Sequence, residues 1–269
     1  MTGAAAAAVA LGAWSLWFEP RRLVVRHEQL VLPAWPAALD GLRVGLLSDF
    51  HAGMPHAGLD AVSRAADALM AERPDLICLL GDFMDGRAAM SRPVDPDALA
   101  ARLGTLAAPR GVVAVLGNHD WYAGARRIAD ALGDVGIPVL EDEAAPAGEG
   151  LWTAGVGDNR IRGGNVGRAL AGVPEDDAVL LLSHDPDLFP LVPARVALTL
   201  SGHTHGGQVG IPYLRRPVVP STYGERYVHG HVVEAGRHLY VTSGVGTSGL
   251  PVRLLMPPEV VIVALRAPS

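Results

Sequence analysis

Five apolar runs in this chain each lead into a short polar segment, and this repetition constrains the fold more than any other feature. The runs are rich in valine, leucine and isoleucine, which is typical of strands buried on both faces of a parallel sheet. The polar segments contain most of the side chains that could bind a metal, including five of the ten histidines. They occupy positions 48–51, 81–82, 117–120, 183–185 and 202–205.

Helical patterns separate these runs, so the order predicts an α/β fold with a parallel βαβαβ unit over residues 42–116 and right-handed crossovers. In an open α/β sheet, ligands bind at the carboxyl ends of the strands. We therefore expect the five polar segments to converge at one sheet edge. The second half predicts further strands and a β-rich C-terminal part, and the N-terminal stretch 23–32 predicts two short paired strands.

Composition excludes several classes of protein. The 269 residues are 49% hydrophobic, which is enough for a sizeable core. The formal net charge of -6 gives no basic field for a nucleic acid, so nucleic-acid binding is not expected. Cys78 is the only cysteine and lies within an apolar run, which excludes an intrachain disulfide and a thiolate metal cluster.

Residues 1–18 carry no charged side chain and predict a membrane or signal-like helix, followed by a single domain over 19–269. Arg21 and Arg22 follow directly and favour a cytoplasmic body by the positive-inside tendency. We expect the protein to be membrane-associated, with the cytoplasmic face favoured. A cleaved signal and a misassigned start site remain open as alternatives.

Pairs of possible ligands recur two residues apart. Asp49 with His51, and His203 with His205, would point to the same side if the strand alternation continued through them. Asp82 offers two oxygens and could bridge two cations. Taken singly, an aspartate after a strand is as well explained by capping of the next helix. His184, taken singly, is as well explained as a buried histidine that makes hydrogen bonds.

The segment Gly-Asn-His-Asp at 117–120 adds three polar groups in succession. Asn118 offers a neutral carbonyl oxygen, and His119 could bind a metal or donate a proton. Asp120 is a candidate to orient that imidazole. A simple turn is the competing interpretation, because asparagine and aspartate are common turn residues.

Together these positions form a nitrogen and oxygen donor set without sulfur, which suits manganese, iron, zinc or nickel better than copper(I). Two divalent cations about 3.5–4 Å apart activate water as hydroxide near neutral pH and clamp a phosphoryl group during in-line displacement. The expected cofactor is a pair of divalent ions, manganese first, with iron, zinc, nickel or magnesium as alternatives.

The same five motifs, in this order, resemble the signature of the calcineurin-like metallophosphoesterase superfamily. The stretches 202–208, 240–248 and 257–259 resemble its YkuE/YaeI-type bacterial phosphodiesterase branch, which often has an N-terminal membrane segment. The resemblance implies a two-sheet β-sandwich flanked by helices, an αββα four-layer fold.

The resemblance also implies a ligand for every position of a dinuclear centre. One ion would be held by Asp49, His51, Asp82 and His205, and the other by Asp82, Asn118, His184 and His203. His119 would protonate the leaving group or stabilise the phosphoryl oxygen, with Asp120 orienting it. Asp85 is expected to lie near the site without binding metal.

These residues predict a dimetal phosphoesterase that hydrolyses phosphodiester or pyrophosphate bonds, with a phosphoester substrate that could be lipid-linked. One alternative is a pyrophosphohydrolase of UDP-2,3-diacylglucosamine in lipid A synthesis, which mass spectrometry of that lipid after incubation would distinguish. The other is a non-catalytic binding scaffold of the same fold, although such scaffolds usually lose ligands. The oligomeric state stays open.

Overall fold

The computed structural model describes residues 2–268 and contains two mixed β-sheets with helices on their outer faces. The predicted ranges 1–18 and 19–269 therefore each include one residue, Met1 and Ser269, that lies outside the described part. The helices are α1 (Thr2–Ala13), α2 (Leu59–Ala71), α3 (Pro96–Leu103), α4 (Asn118–Ala123), α5 (Ala125–Asp134) and α6 (Val166–Leu170).

Eleven strands form the two sheets of the described chain. They are β1 (Val24–Val31), β2 (Leu42–Leu47), β3 (Leu76–Leu79), β4 (Val112–Ala114), β5 (Glu143–Pro146), β6 (Leu151–Gly155), β7 (Ala178–Leu182), β8 (Leu198–Ser201), β9 (Gly230–Glu234), β10 (Arg237–Val241) and β11 (Glu259–Arg266). The first sheet has the order β1-β11-β2-β3-β4 and the second has the order β5-β6-β7-β8-β10-β9.

Alternation along the strands creates three packed layers of apolar side chains. Between the sheets, Val44 and Leu46 of β2 belong to one core with Leu180 and Leu182 of β7. The outer face of the first sheet packs on α2, α3 and α5, and the outer face of the second sheet packs on α6 and the 3₁₀ turn Pro186–Leu191. The predicted α/β fold, with two sheets flanked by helices, is confirmed.

The parallel order that the apolar runs predicted is present in both sheets. Strands β2, β3 and β4 are parallel neighbours in the first sheet. Strands β6, β7 and β8 are parallel neighbours in the second. Their carboxyl ends therefore lead the chain towards the same region between the sheets, where the polar segments begin.

Two local predictions differ from the structure. The stretch 23–32 forms one strand, β1, parallel to β11, instead of two short paired strands. The residues 121–132 predict one helix, but the structure has two helices there, α4 and α5, which are divided at Gly124, whose φ of 115° belongs to the left-handed region. The first difference arises because pairing with a distant strand overrides the local pattern. The second arises because glycine can adopt a left-handed backbone conformation that interrupts a helix.

The N-terminal segment is helical as predicted. Helix α1 continues as a π-helical turn over Trp14–Phe18 and then as a 3₁₀ turn over Glu19–Arg21. Glu19 is buried and accepts a hydrogen bond from the Trp14 indole, with Nε1 2.6 Å from Oε2. Within residues 2–268, none of the helices has both the length and the apolar character that crossing a bilayer requires.

Candidate metal centre

Two clusters of imidazole and carboxylate groups meet where the parallel strands of both sheets end. Asp49, His51 and His205 form the first cluster, and Asp82, His184 and His203 form the second. Within each cluster the potential ligand atoms lie within 4.8 Å of one another. All six residues are buried. The structure therefore brings together side chains that are more than 150 positions apart along the chain.

The Asp82 carboxylate joins the two clusters. Its Oδ2 atom lies 3.1 Å from His184 Nε2 and 3.4 Å from His51 Nε2. Its Oδ1 atom accepts a hydrogen bond from the His119 backbone N–H at 2.8 Å. One carboxylate thus faces both clusters with one oxygen and fixes the start of α4 with the other.

The imidazoles of the second cluster are oriented by backbone carbonyls. His184 Nδ1 lies 2.7 Å from the Leu80 carbonyl oxygen, so it donates there and leaves Nε2 free to face Asp82. His203 Nε2 lies 2.9 Å from the Pro220 carbonyl oxygen, and its Nδ1 lies 3.2 Å from His184 Nε2. A carbonyl that fixes the tautomer of an imidazole is the usual arrangement around metal-binding histidines.

The first cluster shows the same convergence of nitrogen atoms. His51 Nε2 lies 3.0 Å from His205 Nε2, which in turn lies 3.3 Å from Asp49 Oδ1. The Asp49 carboxylate also accepts the His203 backbone N–H at 3.0 Å and so connects the loop after β8 to the loop after β2. Ring nitrogens that face one another at this distance fit shared coordination of a cation.

The environment of His203 and of His205 favours the neutral form of each imidazole. Burial lowers the pKa of His203 and His205 well below the ordinary value, which leaves nitrogen lone pairs available for coordination. Burial lowers the pKa of His184, but the surrounding carboxylates, Asp82 foremost, together outweigh burial and raise it. Burial raises the pKa of Asp82, but the surrounding histidines, His184 foremost, together outweigh burial and lower it.

An orphaned buried oxygen supports the fit of a cation. Asn118 Oδ1 is buried at the start of α4 and finds no hydrogen-bond partner among the described residues. A buried acceptor without a donor is costly unless a cation or water satisfies it. Together with carboxylates and neutral imidazoles, this amide completes a donor set of nitrogen and oxygen that fits divalent ions.

Left-handed backbone geometry aims five of these side chains. The backbone angle φ lies between 45° and 69° at Asp49, His51, Asp82, His203 and His205. Non-glycine residues rarely adopt this conformation, and clusters of them are typical of functional sites. The expected reason for the pairing of Asp49 with His51, strand alternation, is therefore wrong: β2 ends at Leu47, and a turned backbone directs both side chains.

Two glycines allow the polar segments to approach one another. A Cβ atom on Gly117 would lie 2.2 Å from Asp82 Oδ1 and 2.7 Å from His184 Cε1. One on Gly202 would lie 2.1 Å from Ser48 Oγ and 2.3 Å from Asp49 Oδ2. Side chains at these positions would displace predicted ligands, so the glycines of the two motifs are required by packing at the site.

His119 stands at the edge of the clusters with its side chain 17% exposed. Its ring packs edge-on against His51, with ring centroids 4.6 Å apart, and its Nε2 lies 3.5 Å from Ser248 Oγ. Burial opposes protonation, but the Asp85 and Asp82 carboxylates together outweigh burial and raise the pKa of His119. The imidazole is therefore placed to hold a proton at the boundary between metal cluster and solvent.

The carboxylate beside the His119 ring is Asp85, and this differs from the predicted orienting role of Asp120. Asp85 Oδ1 lies 3.7 Å from His119 Nδ1, and its Oδ2 lies 3.5 Å from His51 Nδ1. Asp120 accepts hydrogen bonds from the Gly117 and Met84 backbone N–H groups. At the start of a helix, the carboxylate of the third residue turns back to the cap, so Asp120 serves the backbone.

An open cavity of about 190 Å³ lies against the clusters. The cavity is lined by Asp82, Asn118, His119, His203 and His205, together with Gln208 and Ser248. Arg160 contributes a guanidinium to the same wall, with Nε 2.9 Å from Asp185 Oδ2 and the side chain 36% exposed. A cation beside carboxylates and imidazoles suits a substrate that carries negative charge.

Arg160 is not among the site residues that the motifs predicted, although the sequence around it carries a signal. The segment Gly-Asp-Asn-Arg at 157–160 follows β6 in the same way as the five recognised segments follow their strands. It lacks histidine, so a search for ligands passes over it. Arg253 is fully buried and donates to backbone carbonyls that include those of Ser243 and Gly246, so it is not a substrate contact.

Comparison with known proteins gives independent matches. The family model described as calcineurin-like phosphoesterase matches residues 42–207. An uncharacterized metallophosphoesterase of Aquifex aeolicus (strain VF5) is 34% identical, over 96% of this chain and 97% of its own length. Phosphodiesterase YaeI of Escherichia coli (strain K12) is 30% identical, over 93% and 88% respectively.

A solved structure supports the fold at low sequence identity. The protein TT1561 of Thermus thermophilus superimposes with a TM-score of 0.50 and 14% identity, covering 76% of this chain and 90% of its own. The predicted resemblance to the superfamily and to the branch that contains YaeI is confirmed by these matches. Ligation by each named residue stays a prediction.

Proposed function

Because the chain belongs to the calcineurin-like phosphoesterase family, we propose that it hydrolyses phosphodiester or pyrophosphate bonds in the cavity beside Asp82. It is a phosphoric ester hydrolase by family. The observation that carries the proposal is the position of Asp82 Oδ2 between His51 Nε2 and His184 Nε2, which would let the two clusters act as two adjacent cation sites.

The cofactor proposed for the centre is a pair of divalent ions, with manganese first and iron, zinc, nickel or magnesium as alternatives. One ion would be held by Asp49, His51 and His205, and the other ion would be held by His184, His203 and Asn118. Asp82 would contact both ions. When bound, such a pair supplies an activated water and neutralises charge on the reacting phosphoryl group.

The chain's own residues would supply the other functions. The Arg160 guanidinium would bind phosphoryl oxygens by charge-assisted hydrogen bonds and hold the substrate in the cavity. His119 would donate the proton that the leaving oxygen needs. Asp85 would hold the imidazole ring through Nδ1, so that Nε2 faces the cavity.

A binding scaffold without catalysis is not favoured. Scaffolds that descend from enzymes lose ligands because selection for hydrolysis has ended. Here both clusters are intact, and the Asn118 oxygen is free to coordinate. The proposal therefore keeps hydrolysis, and the phosphodiester class is supported by the name of the E. coli relative.

Chelation is the direct test of the proposed centre. We expect purified full-length protein loaded with manganese to hydrolyse bis(p-nitrophenyl) phosphate, and extraction with EDTA to lower the rate by about 10²-fold or more, because the ions supply both water activation and charge neutralisation. Readdition of manganese to the dialysed protein should restore the rate. An unchanged rate in protein shown to be metal-free by elemental analysis would contradict the proposal.

Substitution of Arg160 tests the proposed substrate contact. We expect Arg160→Ala to raise KM for bis(p-nitrophenyl) phosphate by roughly tenfold with a smaller change in kcat, because the lost contact acts in substrate binding. Arg160→Lys should recover only part of the loss, since lysine cannot make the bidentate contact. Arg162→Ala removes a more exposed arginine of the same loop and serves as the control. An unchanged KM for Arg160→Ala would exclude the contact.

We further propose that the protein is membrane-associated through its N-terminal segment, with the catalytic domain on the cytoplasmic side. The uncharged residues 2–18 and the arginines at 21 and 22 support this proposal. A lipid-linked phosphoester is then the substrate class to examine first.

A further inference from the structure

Helix α1 exposes apolar side chains on every side. Residues 4–11 are all exposed, and they are alanine, valine and leucine throughout. Eight consecutive residues complete more than two turns of helix, so they cover its whole circumference. A groove on a partner protein would cover one face of such a helix, whereas lipid chains can surround it.

The base of this helix is fixed to the catalytic domain. The Ser15 carbonyl oxygen accepts a hydrogen bond from the Arg253 backbone N–H at 3.0 Å. The Leu16 carbonyl oxygen lies 2.9 Å from His56 Nε2, and the Trp17 ring packs edge-on against the His56 ring. The direction in which the helix leaves the domain is therefore set by contacts with two loops, the one that contains His56 and the one that contains Arg253.

The loop that contains Arg253 belongs to an apolar rim beside the catalytic cavity. We define the apolar rim as five exposed side chains on two loops, with exposed fractions from 60% to 70%: Tyr213, Leu214, Val218, Leu250 and Leu255. Val218 lines the catalytic cavity itself. Exposed apolar patches of this kind mark interaction sites.

Gln208 connects the two loops of the rim to each other and to the cavity. Its side chain accepts the Ser248 N–H and donates to the Ser248 and Leu250 carbonyl oxygens. Its carbonyl oxygen accepts the Leu254 N–H, and the Gly210 N–H donates to the Leu254 carbonyl oxygen. Helix base, rim and cavity mouth thus form one connected face.

This face carries several arginines in a chain whose net charge is -6, and two carboxylates, Glu19 and Glu225, pair with some of them. Arg21 and Arg22 are exposed at the base of the helix, and the Arg21 guanidinium lies 3.6 Å from the centroid of the Trp17 ring. Arg216 stands over the Tyr213 ring at 4.6 Å. Arginines next to exposed aromatic rings are suited to the interface between anionic headgroups and acyl chains.

We propose that this face docks on an anionic lipid bilayer, with α1 among the acyl chains and the apolar rim at the headgroups, so that the cavity takes a phosphoester of an amphiphile resident in that membrane. The substrate clause rests on the proposed function. In the reaction, a water oxygen bonds to phosphorus and gives up a proton, the phosphorus–oxygen bond to the leaving alcohol breaks, and the leaving oxygen takes up a proton.

The test separates membrane docking from catalysis. Full-length protein is mixed with vesicles of phosphatidylcholine and phosphatidylglycerol that contain hexadecyl p-nitrophenyl phosphate, and sedimentation and nitrophenol release are measured. For the double variant Leu214→Ser/Leu255→Ser we expect vesicle partitioning and hydrolysis of the vesicle-borne ester to fall by about tenfold or more, because two apolar side chains no longer enter the bilayer. Hydrolysis of dissolved bis(p-nitrophenyl) phosphate should stay within about twofold, since neither residue lines the cavity.

Leu191→Ser/Val233→Ser is the matched control, because both residues are exposed and lie outside the rim. It should sediment with vesicles like the wild type. Equal vesicle binding by the rim variant and the wild type would overturn the proposal, as would an equal loss in the control. The proposal would also be overturned if gel filtration without lipid showed that the rim variant has lost self-association. Failure of the wild type to hydrolyse the dissolved ester would instead count against the proposed function alone.

Discussion

Replacing Asp82 with asparagine is expected to lower kcat/KM for bis(p-nitrophenyl) phosphate by about 10²-fold or more, because the charge that joins the two cation sites is lost. The substitution preserves the shape of the side chain, and an amide oxygen can still accept the His119 backbone N–H. What it removes is the negative oxygen that faces both His51 and His184. The loss should therefore appear in catalysis and in metal content while the fold is kept.

Elemental analysis and kinetics on the same preparation provide the measurement. Asp82→Asn should retain less metal per chain than the wild type after dialysis, and excess manganese should restore the rate only in part. Asp176→Asn changes an exposed aspartate that belongs to neither cluster, and it is the control for a generic loss of charge. If Asp82→Asn kept wild-type turnover and metal content, the assignment of the joined centre would be wrong.

His119→Ala is expected to lower the rate by about 10²-fold on an ester with an alkyl leaving group, because a positioned proton donor contributes this much. The loss should be smaller when the leaving group is p-nitrophenolate, which departs without a proton. A set of diesters with leaving groups of increasing pKa measures the dependence. An equal loss on every ester would show that His119 acts on metal or phosphoryl binding instead of on the leaving oxygen.

Companion variants distinguish the two carboxylates near this histidine. Asp85→Asn should reproduce the leaving-group dependence in weaker form, because Asp85 lies beside the imidazole Nδ1. Asp120→Asn should lower the thermal midpoint with little leaving-group dependence, because its carboxylate accepts two buried backbone N–H groups. The opposite assignment of effects would restore Asp120 to the orienting role that the sequence suggested.

Much of the architecture could be predicted because strands buried in a parallel sheet appear in the sequence as continuous apolar runs. The run that precedes Asp49 became β2 with the expected bounds, and the run that precedes His184 became β7. Less could be predicted at the edges of the fold. β1 pairs with β11, more than 200 residues away, and no local pattern specifies such a partner.

The candidate site could be predicted as a set of residues but not as an arrangement. Asp49 and His205 meet because the chain turns through left-handed geometry after each strand, and the direction of such a turn is not contained in strand alternation. For the same reason the sequence pattern assigned the orienting role to Asp120, whereas the carboxylate beside the His119 ring is that of Asp85. Arg160 was missed because a cation after a strand is common on protein surfaces.

The sequence by itself determined which donors are present and in which order the strands deliver them, because only apolar runs can be buried between two sheets and the polar residues must then lie at their ends. The tertiary structure alone decided which groups face one another. It set Asp82 between two histidines, Asp85 beside His119 and an apolar rim beside the cavity, since those contacts join segments that are distant along the chain. Contacts of that kind depend on loop paths fixed by packing, and packing is a property of the whole fold.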